Sequence, residues 1–114
     1  MLIDIRARLC SIFLGLLLVT SASAHHSFVT HYVVNEVFQI SGTVTEVQLR
    51  NPHSFYYLDV DIGNGRAERW EIEAHSVALL RRMGVDRNVA PGQRLTVAGM
   101  RSRDPDRKVM FANE

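Results

Sequence analysis

Residues 54–74 leave the chain little choice of local structure. In "SFYYLDVDI" (residues 54–62), Tyr56, Leu58, Val60 and Ile62 alternate with Phe55, Tyr57, Asp59 and Asp61. After the "GNG" of Gly63, Asn64 and Gly65, "ERWEIEA" alternates again, with Trp70, Ile72 and Ala74 set against Arg69, Glu71 and Glu73. A period of two sends successive side chains to opposite faces of a strand. Two glycines around an asparagine supply the positive φ values that a tight antiparallel connection requires. The pattern therefore predicts a hairpin with one apolar face, which two strands cannot bury alone. More sheet must cover it.

The flanking sequence supplies that sheet. "VFQISGTVTEVQL" (residues 37–49) is rich in β-branched and aromatic residues. Phe38, Ile40 and Val44 share one parity while Val47 and Leu49 share the other, which predicts a bulge or strong coiling with Gly42 as the permissive residue. Asn51-Pro52 marks a turn. "SVALLRRM" (residues 76–83) reads as a short helix capped by Ser76, stopped by Gly84, and burying Val77, Leu80 and Met83. Pro91-Gly92 turns the chain into "QRLTVAGM", with Leu95, Val97 and Gly99 on one parity. The charged loop "RSRDPDR" then precedes a last strand, "KVMFA" (residues 108–112).

The order β-β-β-α-β-β predicts a mainly β fold: a small five-stranded OB-like barrel with one short helix between strands 3 and 4. The alternative is an open α+β sheet with the helix on one face. Closure suits a domain this small, because it removes the naked strand edges that invite association. The barrel is expected over residues 37–114, behind an N-terminal arm at residues 25–36.

Residues 1–24 read as a signal peptide. Arg6 and Arg8 precede the apolar run "LCSIFLGLLLV", and Ala22-Ser23-Ala24 matches the small-residue cleavage pattern. The run is too short for a bilayer, which takes about 20 residues. The expected location is periplasmic or secreted, with no stable membrane anchor after cleavage. Cys10 is the single cysteine and leaves with the signal, so the mature domain has neither thiol nor disulfide. Losing Arg6, Arg8 and Asp4 also balances the remaining acids and bases, which gives nucleic acid no electrostatic hold.

Several stretches together resemble a known family. "AHHSF" at residues 24–28, "GTVTEV" at 42–47, "NPH" at 51–53, "WEIE" at 70–73 and "PGQRLTVAG" at 91–99 are similar to domain-of-unknown-function family 6152. The likeness covers nearly all of the mature chain, and "AHHSF" and "NPH" are its most specific parts. It implies a small exported bacterial protein with a β-rich domain, and it implies no activity.

All five histidines, His25, His26, His31, His53 and His75, fall after the signal. Neutral imidazole is the commonest metal ligand, and nitrogen-rich sites suit copper, zinc and nickel. Cleavage after Ala24 makes His25 the N-terminal residue. Its α-amine, with an ordinary pKa of about 7.7–8.0, and its Nδ1 can then chelate one metal in a six-membered ring. His53 in "NPH", at a barrel mouth, is the expected third nitrogen, with His26 accessory and His31 a substitute. That set fits Cu(II). Cleavage after Ala22 would instead place His25 third, where the terminal peptide binds copper by itself. The bland alternative is that these histidines are solvated polar groups. His75, just before the helix, reads as a surface or capping side chain.

The other candidate surface is the outward face of the hairpin, where Phe55 and Tyr57 are expected to be exposed or covered by the arm through Phe28 or Tyr32. Asp59, Asp61, Glu71 and Glu73 share that parity and would repel a phosphate backbone. Aromatics bordered by acids instead suit an envelope protein or a glycan. No catalytic triad, phosphate-binding loop or zinc-protease motif is present, so a metal-free interaction module is the alternative to copper binding, and catalysis is not expected.

Overall fold

The hairpin forms where the alternation places it. A computed structural model describes residues 28–112 and pairs β2 (Ser54–Gly63) with β3 (Arg66–Ala74) antiparallel, Leu58 opposite Trp70 and Tyr56 opposite Ile72. The turn uses positive φ at Gly63 (89°), Asn64 (56°) and Gly65 (69°). On the inner face Ser54, Tyr56 and Leu58 of β2 and Ile72 and Ala74 of β3 are buried. Ile62 departs from its parity partners and is exposed, because the register slips between Asp61 and Gly63 and the tip projects beyond the core.

β1 (Phe38–Gln48) crosses this hairpin and does change its inward parity. The slip lies between Val44 and Glu46, at Thr45 and not at Gly42. Gly42 matters for a different reason, since a Cβ there would lie 2.7 Å from the Asp59 carbonyl oxygen. The absent side chain lets β1 and β2 approach.

The first helix of the described residues after β3, α1 (Val77–Arg82), takes its N-cap from Ser76, whose hydroxyl accepts the Leu79 amide at 3.4 Å. Gly84, at φ 73°, ends it. Leu80 is the residue α1 buries in the core, whereas Met83 is exposed. The helix is too short to present a second full turn to the barrel, so the expected stripe stops at Leu80.

β4 (Arg94–Arg101) returns along β1, and β5 (Val109–Ala112) inserts between β4 and β3. The result is a closed barrel in the order β1-β2-β3-β5-β4. Its β3–β5 ladder is parallel, with Glu71, Ile72 and Glu73 opposite Val109, Met110 and Phe111. The core centres on Val44, Tyr56, Leu58, Ile72, Leu80, Val97 and Met110. Each buried aliphatic side chain of this kind stabilises the fold by about 1.5–3 kcal/mol. Trp70 packs at the barrel's margin and not in its centre: it is partly buried, tilted against Phe38 at 5.6 Å, and donates Nε1–H to Glu68 at 3.0 Å. No helix among the described residues is long and apolar enough to cross a membrane.

Gly99 sits where β1, β4 and β5 meet, opposite both Phe38 and Ala112. A Cβ at this position would collide with the Phe111 carbonyl oxygen, a backbone atom that cannot rotate away. Gly99→Ala is expected to cost about 1–3 kcal/mol, the usual penalty of overpacking, measured as a lowered urea midpoint with unchanged slope.

Candidate functional site

The β1–β2 connection is bolted to the start of α1. Ser54, fully buried, donates its hydroxyl to the Arg50 carbonyl (3.2 Å) and accepts the Arg50 amide (3.3 Å). Its own amide donates to the His75 carbonyl at 3.1 Å, and the Asn51 side-chain oxygen accepts the Val77 amide at 3.2 Å. These bonds fix "NPH" and set His53 one step outside β2, whose Ser54 and Phe55 face Ala74 and Glu73.

His53 and Glu73 meet there. His53 Nδ1 is hydrogen-bonded to Glu73 Oε1, and the Tyr32 hydroxyl donates to Glu73 Oε2, so one carboxylate serves two partners. The imidazole remains 44% exposed while the carboxylate is 19% exposed. Below them lies Phe111, placed opposite Glu73 by the parallel ladder. Tyr32 (5.8 Å), His53 (5.9 Å) and His75 (5.4 Å) each pack against its ring in a T-shaped arrangement. Three segments far apart in the sequence thus converge on one acid and one aromatic ring.

The arrangement has a defined electrostatic character. Burial, and then the hydrogen bond to Glu73, push the Tyr32 hydroxyl far above the ordinary tyrosine range, so it stays a donor. With Glu73 ionised, a neutral His53 carries its proton on Nδ1. Nε2 is then a lone-pair donor with no hydrogen-bond partner among the described residues.

Of the candidate ligands, His53 is held in the cluster and His75 packs on the same Phe111 ring, a position that is more than a surface cap. His31 is exposed, and its carbonyl accepts the Arg103 amide at 2.8 Å. His25, His26, Cys10 and the signal segment lie outside the described residues. Among the described residues no three His, Cys, Asp or Glu side chains form a group able to hold a metal.

Parity alone makes Glu73 one more outward charge. It is instead the acceptor that organises the cluster. Tyr32 belongs here too, bridged to Ser102. The rings of Phe55 and Tyr57 are half-buried beneath arginines: the Arg50 guanidinium lies 4.4 Å above Phe55 and that of Arg69 lies 4.6 Å above Tyr57. The "WEIE" stretch contains Glu73 but gives it no role, since its partners come from the arm and from the β1–β2 connection.

Removing the Tyr32 hydroxyl tests the shared carboxylate. Tyr32→Phe is expected to cost about 1.5–3 kcal/mol near pH 8, the range for hydrogen bonds to charged groups. Above about pH 10 the unfolded chain ionises Tyr32 while the folded chain resists it, so this contribution is lost as pH rises. The stability gap between wild type and variant, followed by urea unfolding, should therefore narrow between about pH 8 and 11.

Among known families, the model of a family of unknown function (DUF6152) matches residues 15–111. Comparison with curated proteins found no match.

Proposed function

The chain belongs to DUF6152, a family of unknown function, so its role must be argued from its own residues, and we propose that it is an exported module that binds one transition-metal ion, Cu(II) by preference. The observation that carries this reading is the His53–Glu73 pair. Metal-binding histidines generally donate their second ring N–H to a carboxylate or carbonyl, which fixes the tautomer and raises the basicity of the ligating nitrogen. Glu73 is such a carboxylate, and the Tyr32 hydroxyl, bonded to its other oxygen, holds it in place.

In this reading His53 Nε2 supplies one nitrogen and the mature N-terminus supplies two, the α-amine and Nδ1 of His25. Three nitrogens in a plane suit Cu(II), and His26 is an accessory ligand. The reading therefore rests on His25 and His26 together with His53, since among the described residues no three His, Cys, Asp or Glu side chains form a group able to hold a metal. The role is storage, delivery or sensing in the periplasm or outside the cell, without turnover. The alternative is a metal-free module that binds an envelope protein or glycan through Phe55 and Tyr57. It is the weaker reading, since Arg50 and Arg69 already occupy the ring faces on which a sugar would stack.

Native mass spectrometry of the exported protein, with and without one equivalent of Cu(II), tests the proposal. The expected species begins at His25 and retains one copper. His53→Ala should release most of it, and Glu73→Gln should weaken affinity by about 10–100-fold, the usual cost of losing an outer-shell partner. A chain that retains no copper overturns the reading. Equal retention by His53→Ala would confine the ion to the terminal peptide and remove the barrel from the site.

A further inference from the structure

The turn that closes the hairpin also brings an electrophile and a nucleophile together. Asn64 and Gly65 are its central residues, and their positive φ values of 56° and 69° are those of the tight turn that Asn-Gly favours. Covalent connectivity alone keeps the Gly65 backbone nitrogen within reach of the Asn64 side-chain carbonyl carbon, Cγ, and joining the two closes a five-membered ring. Glycine is the residue that hinders such an attack least, since it carries no Cβ.

The fold leaves both groups open. Asn64 and Gly65 are exposed, and a Cβ built on Gly65 would meet nothing within 4 Å. Among the described residues, neither the Asn64 carboxamide nor the Gly65 amide has a hydrogen-bond partner. The side-chain tie at the tip bypasses them, because the Asp61 carboxylate accepts the Gly63 amide at 2.7 Å. Below the turn the ladder slips between Asp61 and Gly63, and Ile62 is exposed, so a rotation at Asn64 has no core packing to overcome. The other described asparagines are placed differently. The Asn51 side-chain oxygen accepts the Val77 amide at 3.2 Å, and Pro52 after it has no N–H to lose. Asn88 donates its carboxamide to the Gly84 carbonyl and precedes the branched Val89, and Asn35 precedes Glu36.

We propose that Asn64 is a modification site, converted in the folded protein to aspartate and isoaspartate by intramolecular attack. The Gly65 nitrogen loses its proton and bonds to Cγ, the bond from Cγ to Nδ2 breaks, and ammonia leaves with that proton. Water then opens the resulting succinimide. Addition at Cγ yields aspartate. Addition at the Asn64 backbone carbonyl yields isoaspartate, whose main chain runs through the side-chain carbons. Water is the co-reactant, and no group is oxidised or reduced. Either product adds a negative charge to the tip that holds Asp61, and isoaspartate lengthens a turn whose short span sets the hairpin register. The site is independent of copper binding, because it uses neither His25 nor His53.

Peptide mapping by mass spectrometry, with isoaspartate resolved by its chromatographic retention, tests this on the full chain. The protein would be incubated for days at mildly alkaline pH, both folded and unfolded in urea. The expected result is conversion at Asn64 in the folded protein at a rate within several-fold of that in urea, with Asn35, Asn51 and Asn88 intact. Asn64→Gln, which would have to close a less favoured six-membered ring, should show no conversion at the tip. Conversion in urea alone would mean that the folded turn protects Asn64, and would overturn the proposal. Conversion of Asn35 or Asn88 in the folded chain as fast as Asn64 would sink the assignment to the hairpin tip.

Discussion

The parallel pairing of Glu71, Ile72 and Glu73 with Val109, Met110 and Phe111 is the seam on which this molecule depends. β5 is a strand of four residues, yet it pairs with β3 on one side and β4 on the other. Without it the sheet would end in two unpaired edges, and the buried Met110 would leave the core. The loop before it is wound tightly by its own side chains. Ser102 accepts the Asp104 amide at 3.1 Å, and Asp104 accepts the Asp106 amide at 3.0 Å. The seam also builds the candidate site, because the residue set opposite Glu73 is Phe111. Architecture and chemistry here share one set of backbone hydrogen bonds.

Much of the fold was legible in the sequence because it rests on parity. The hairpin, the short helix and the order of elements follow from alternation, a cap and glycine stops, and each is found where those signals lie. Closure into a barrel followed from the element order and from the small size of the domain. Parity fails at the margins, where an inward-pointing residue runs past the end of the core: Ile62 is exposed and Trp70 packs on Phe38 at the rim. It also misplaces the change of phase in β1. Gly42 has the look of a hinge, but its small size answers to the Asp59 carbonyl across the ladder, and the slip occurs at Thr45.

The site was legible only in part, for a physical reason. His53 is marked by its turn and by the chemistry of imidazole. Glu73 closes the "WEIE" stretch, but its role is not marked, since a solvated carboxylate and an organising one look alike in an alternating strand. What distinguishes them is the company brought by the arm and by the closing strand, and long-range pairing leaves no local trace. The buried Tyr56 hydroxyl is hidden in the same way. Its inward parity is plain, but the lack of a partner among the described residues depends on how β4, α1 and the segment after it pack around the ring.

The arginines above Phe55 and Tyr57 have a consequence for how the chain behaves in a crowd. A segment such as "SFYYL" combines high β propensity with adjacent aromatic rings, the composition of strands that stack into fibrils. β2 has its backbone paired on both sides, which leaves this strand face-to-face stacking of its rings as a way to meet another sheet. Arg50 lies over one ring, and Arg69, tied to Glu46 at 2.8 Å, lies over the other. Each places a hydrated charge where a second sheet would have to dock. They act as gatekeepers, letting a small barrel keep the aromatic strand it needs for folding while denying that strand to its neighbours.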